Sequence, residues 1–165
     1  RHFEPRAAVR RRCGARCRAV MSYQFIDRVM ALDLGPPATI RVAKTFLPTD
    51  PCFSGPAHGG RLPASMLLEA LAMSGGHLIF RRMADGAVPL LLKVEEASFS
   101  RSVLPGEPLE IRAEILALSH GSNGVGMAQT RGEVLAGGER VAEARLLYAC
   151  ARLPGVNLAL SEGTA

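Results

Sequence analysis

A chain of 165 residues has the length of one domain, and its wealth of Ala, Leu, Gly and Val is enough for a sizeable core. The net charge of +5 is concentrated in Arg1–Val20, where seven Arg face one Glu, which leaves the remainder at −1. A nucleic-acid partner would therefore rest wholly on that leader and is not expected. No apolar run reaches the roughly 18–20 residues of a membrane span.

Residues 1–20 form a basic leader without apolar periodicity, followed directly by Met21. It reads as sequence upstream of a start at Met21, as a disordered basic arm, or as an Arg-rich transit peptide. A secretory signal would need an apolar segment that is missing. Cys13 and Cys17 lie in it as C-x-x-x-C with no second ligand pair, so no metal site is expected. Cys52 and Cys150 read as reduced, partly buried thiols of a cytoplasmic protein.

Residues 22–34, "SYQFIDRVMALDL", mix apolar and charged side chains without a clear period. "GPP" at 35–37 signals a turn. In "ATIRVAKTFL" (38–47), Ile40, Val42 and Phe46 share one face and Arg41 and Thr45 the other, a strand by its period of two. A Pro/Gly-rich loop (48–63) follows, and Pro63 suits the first turn of a helix. That helix is expected from Ala64 to about Met83, ending on "RRMADG". From Met66 to Met73 it is apolar nearly all round, the mark of a buried helix.

Strands are expected from there on. They are "AVPLLLKVEEASFS" (87–100), "LEIRAEILAL" (109–118), "VGMAQTRGEVL" (125–135) and "RVAEARLLYACARL" (140–153). In the second, Leu109, Ile111, Ala113, Ile115 and Ala117 are expected on one face. "AGGE" between the last two signals a hairpin. The order strand, buried helix, four strands implies an α+β domain over 21–153, with a curved antiparallel sheet wrapped around one long central helix. Residues 154–165 read as a loose C-terminal tail.

This layout and several strings in it resemble the hotdog-fold 3-hydroxyacyl-acyl-carrier-protein dehydratases of the FabZ type. The strings are "FIDRV" (25–29), F-x-G at 53–55, P-x-x-x-L-L-E-A-L-A at 63–72, "SFSRSVLPGEPLEI" (98–111) and "VAEARLL" (141–147). The resemblance implies a homodimer or higher homo-oligomer with acyl tunnels at the interface, lined here by Phe53, Met66 and Met73. It implies a substrate carried as a thioester on the phosphopantetheine of acyl carrier protein or CoA, and no metal or redox cofactor.

Dehydration needs a base for a C2 proton, an acid for the departing 3-hydroxyl, and donors for the thioester oxygen. Glu69 matches the family's catalytic Glu and is the only charge between Leu62 and Gly76. A carboxylate on an apolar helix costs several kcal/mol unless paired or protonated. Alternatively, it only bonds loop backbone across a dimer. The amides of Gly55, Ala64 and Ser65 are the candidate oxyanion donors, that of Met66 being free by position as well. The family has Gly at the place of Ala64.

Two departures stand out. Directly after Phe53-Ser54-Gly55 comes Pro56, where the dehydratases have His. His58 follows two residues later, either a displaced base or a solvated side chain, and the loop to Glu69 is one residue shorter than the family's. Met73 stands where the family usually has Gln. His77, two turns past Glu69, and His120, in a turn, read as structural or solvated.

Three functions compete: a dehydratase of fatty-acid, polyene or polyketide type metabolism, a non-catalytic hotdog subunit paired with an active homologue, and an acyl-thioester hydrolase. The second draws on Pro56 and Met73. The third draws on His58-Gly59-Gly60 and Glu69, which resemble the H-G-G and acid of PaaI-type hotdog thioesterases, at a spacing about two residues too long. The dehydratase, with His58 and Glu69 catalytic, is the leading expectation.

Overall fold

The computed structural model describes residues 24–53, 59–83, 86–120 and 125–152. The expected leader and tail, and the Gly55, Pro56 and His58 positions, lie outside them. Six strands and one long helix follow in the order β1 (Arg28–Asp33), β2 (Thr39–Thr45), α1 (Ala64–Met83), β3 (Val88–Phe99), β4 (Pro108–Ser119), β5 (Val125–Ala136) and β6 (Glu139–Ala151). The strands form one sheet in the order β1-β2-β4-β5-β6-β3, antiparallel at every pairing. Helix α1 touches β2 to β6, so the sheet wraps one helix. The chain thus has the expected architecture.

Local chemistry sets these elements. Helix α1 begins just after Pro63 and carries Arg81 and Arg82 in its last turn, where positive charge meets the negative end of the helix dipole. The β5–β6 hairpin turns on Gly137 and Gly138, at φ 60° and 87°, the left-handed pair that a tight hairpin of matching twist requires. The core joins Ile40, Val42 and Phe46 of the β2 region with Leu67, Leu71, Leu78 and Ile79 of α1. Ile111, Val134 and Leu146 complete it from the other strands.

Three expectations need correction. The segment 22–34 contains a strand, β1, whose residues are exposed but for one. An outer strand that buries neither face leaves no alternation to read. In β4 the register shifts between Ile115 and Ala117, so Leu118, rather than Ala117, packs against the core. A bulge there reverses the faces that simple alternation assigns. Helix α1 is also not covered all round: Ser65, Glu69 and Met73, spaced by four, form an exposed stripe.

Two of the motif strings prove to be locks. Asp27 of "FIDRV" accepts from the Lys44 ammonium at 2.8 Å and from the Thr45 N–H at 2.7 Å. The Lys44 side chain is 8% exposed and its Nζ lies 4.8 Å over the Phe46 ring. Asp27→Ala strands that buried charge and is expected to cost about 2–3 kcal/mol, read as a fall in urea midpoint.

In "SFSRSVLPGEPLEI", the Arg101 guanidinium donates to both Glu107 carboxylate oxygens, at 3.3 and 2.7 Å, and to Glu139 at 3.1 Å. The Leu104 N–H also donates to Glu107. Bonding to Arg101, then to the Leu104 amide, holds the Glu107 carboxyl below its ordinary pKa. A carboxyl lowered in the folded state stabilises above its ordinary pKa of about 4.3 and loses that contribution as pH falls further. Glu107→Gln is therefore expected to lower the melting temperature at pH 7 and to flatten its decline below pH of about 4.

Candidate active site

The site builds from the start of α1. The Leu62 N–H donates to the Val103 carbonyl at 3.0 Å, which seats the helix start against the β3–β4 connection. Of the three amides expected free, Met66 is spent: its N–H donates to the Pro63 carbonyl at 3.0 Å. The tightened first turn explains this, since one i to i−3 bond satisfies an otherwise orphaned donor. Ala64 and Ser65 have no amide acceptor among the described residues and keep two donors at the positive end of the dipole.

Glu69 stands one turn further, exposed on the same stripe as Ser65 and Met73. The Ala64 and Ser65 amides point out of the N-terminal end of the helix, and the Glu69 carboxylate stands on its exposed side one turn along. Met73 is 47% exposed there. Phe53, in the 3-10 turn Pro51–Phe53, and Met66 are half-buried against the core. The expected tunnel residues thus divide into two that flank the core and one on the open helix face.

Gly59 and Gly60 adopt φ 54° and 72°, and no atom lies within 4 Å of a Cβ built at either. Conformation alone calls for glycine in this turn ahead of α1, which gives the "HGG" string a backbone role independent of catalysis. His77 is half-buried, and burial, then the charge of Arg81, lower its pKa. Cys52 is a free thiol, and Cys150 is buried. Burial, then the Asp50 charge, pushes the Cys52 thiol up, against a nucleophilic role.

Sequence reasoning missed Tyr148 on β6. It is buried, its hydroxyl donates to the Ala72 carbonyl at 3.0 Å, and its pKa is pushed up to about 12 by burial, with the Glu69 charge adding and a bond to Thr130 opposing. Its one sequence signal was a phenol in an otherwise apolar run. A groove of about 680 Å³ lies on the outer face of the sheet, lined by Arg41, Arg112, Arg131, Glu114 and Glu133 among others. These side chains alternate with the helix-facing core, so this groove is separate from Glu69.

One antiparallel sheet wrapped around one central helix defines the hotdog class. Solved structures share the fold. A phenylacetic acid degradation-related protein from Ralstonia eutropha JMP134 superposes with a TM-score of 0.60 at 24% identity, covering 74% of this chain and 83% of that one. Zebra fish thioesterase superfamily member 2 does so at 0.56 and 16%, covering 74% and 79%.

The chain belongs to the FabA-like domain family, whose pattern matches residues 19–145. Its relatives include the 3-hydroxyacyl-[acyl-carrier-protein] dehydratase FabZ of Symbiobacterium thermophilum, 34% identical over 129 residues, or 77% of this chain and 86% of that protein. The enzyme of the same name from Haemophilus influenzae is 31% identical over 134 residues, 79% and 84% of the two chains. Among the described residues, no helix is long and apolar enough to cross a membrane.

Proposed function

We propose that this protein dehydrates 3-hydroxyacyl thioesters carried on the phosphopantetheine of acyl carrier protein or CoA, in fatty-acid, polyene or polyketide type metabolism. The observation that carries the reading is Glu69, an acid on a largely apolar helix, open in the protomer and one turn from two amides without an acceptor among the described residues. The thioester oxygen accepts from the Ala64 and Ser65 N–H groups, and Gly55 supplies a further backbone donor. His58, displaced by two residues from the family position, takes the C2 proton. Glu69 delivers a proton to the 3-hydroxyl, which leaves as water as the C2–C3 double bond forms. No cofactor is needed, and the free thiol of Cys52 suits a reducing cytoplasm.

The working unit in this reading is a homodimer, or a higher homo-oligomer, built on β3. This twelve-residue strand ends the sheet and is exposed over ten of its residues, Leu90 to Phe99. Leu91, Val94 and Phe99 pair with Tyr148, Leu146 and Ala142, which are buried, so they share the helix-facing side. They are nonetheless 42%, 37% and 40% exposed. A second copy would cover this apolar floor and enclose the acyl chain among Phe53, Met66 and Met73.

Pro56 and Met73 support a second reading, a non-catalytic subunit paired with an active hotdog homologue. Incubating the protein with 3-hydroxyacyl carrier-protein thioesters of several chain lengths, and following products by mass, separates the readings. Enoyl thioester supports the dehydratase. Free acid and thiol would make the protein a hydrolase. Neither product, on any chain length, would favour the non-catalytic subunit.

A further inference from the structure

Behind Glu69 the helix rests on two buried hydroxyls that the dehydration scheme does not use. Tyr148 is 2% exposed and Thr130, on β5, 1%. The Tyr148 hydroxyl donates to Ala72, three residues past Glu69, and Thr130 bonds to the same phenol. A Cβ at Gly75 would lie 2.7 Å from Tyr148 Oη and 2.9 Å from Thr130 Oγ1. The two hydroxyls thus fill the volume that a side chain at Gly75 would take.

This contact falls where the helix is intrinsically weakest. Gly75-Gly76 costs the helix about 1 kcal/mol per residue relative to Ala. Ala72 is also the carbonyl that Gly76 reaches in a regular helix. A phenylalanine would fill the same space without a polar group to desolvate. The hydroxyl is retained in a dry position and spent on one backbone carbonyl beside the acid-bearing turn.

We propose that Tyr148 is a positioning residue for Glu69: its hydroxyl, backed by Thr130, ties the glycine-weakened middle of α1 to β6 and so fixes the Glu69 carboxylate relative to the Ala64 and Ser65 amides. The inference rests on the reading of Glu69 as the acid–base group. The phenol remains a donor throughout the working pH range, because its pKa is pushed up to about 12, chiefly by burial. The Glu69 charge contributes to that rise, so the two groups sense each other.

Tyr148→Phe keeps the ring and removes the hydroxyl. It is expected to lower kcat by about tenfold, with KM changed by less than about twofold, because misplacing a catalytic group by a fraction of an ångström is felt in the chemical step. Amide exchange over residues 70–80 is expected to quicken more than elsewhere in the protein. A triple variant, Gly75→Ala with Thr130→Ala and Tyr148→Phe, exchanges the hydroxyls for a methyl and improves helix propensity.

That variant is expected to recover melting temperature but not kcat. Recovery of both together would make Tyr148 a packing residue only and overturn the proposal, as would an unchanged kcat in Tyr148→Phe. A wild-type protein that forms no enoyl product would overturn the acid–base reading, and this inference with it.

Discussion

Glu69→Gln is expected to lower enoyl-thioester formation by about a thousandfold while leaving the fold intact, since positioned acid–base groups contribute roughly 10²–10⁴ in rate. The substitution preserves shape and removes only the ability to exchange a proton. Glu69 is exposed in the protomer, and no described side chain bonds to it, so stability should change by less than about 0.5 kcal/mol. The check pairs initial rates on a 3-hydroxyacyl carrier-protein thioester with a thermal melt. His58→Ala is expected to lose about a hundredfold or more if His58 is the displaced base. Full activity in Glu69→Gln would remove the carboxylate from the chemistry and leave only the helix-start amides as a binding feature.

Legibility in the sequence followed the range of the interactions. Helix α1 was readable, its start at Ala64 and its end near Met83, because Pro63 and the Arg81-Arg82 pair are local signals, and Gly137-Gly138 marked the hairpin in the same way. Strand β1 was not readable, because an outer strand with almost no buried residue carries no periodic pattern. The bulge in β4 escaped for a related reason: the apolar alternation continues through Ala117 in the sequence, whereas the backbone has already changed face.

Contacts between distant residues were hidden altogether. Asp27 and Lys44 are 17 apart and Tyr148 and Ala72 are 76 apart, and neither pairing leaves a local trace. Glu69 is the instructive intermediate. Its type and its helix could be read, and so could the oddity of a charge among apolar neighbours. Its exposure could not, because an apolar helix stripe looks the same whether its own sheet or another chain covers it. Met73 on that stripe and Leu91, Val94 and Phe99 on β3 are all partly open in the protomer, which joins the question of the site to that of assembly.

Val94→Lys tests that link and is expected to convert the proposed dimer to monomers and to reduce enoyl formation at least about a hundredfold. Val94 lies on the helix-facing side of β3 opposite buried Leu146, at the middle of the unpartnered edge. Long apolar edge strands invite pairing with another chain, and a two-fold interface places the same residue in it twice. One substitution therefore buries two unpaired ammonium groups in apolar surroundings, at a cost of several kcal/mol each. Within the protomer the same position is 37% exposed, so the lysine can extend into water once the partner is gone, and the monomer should keep its fold. Sedimentation and activity measured on one sample decide the matter. A monomeric wild type with full turnover would place the whole site within one chain. A dimeric Val94→Lys variant would move the interface away from β3.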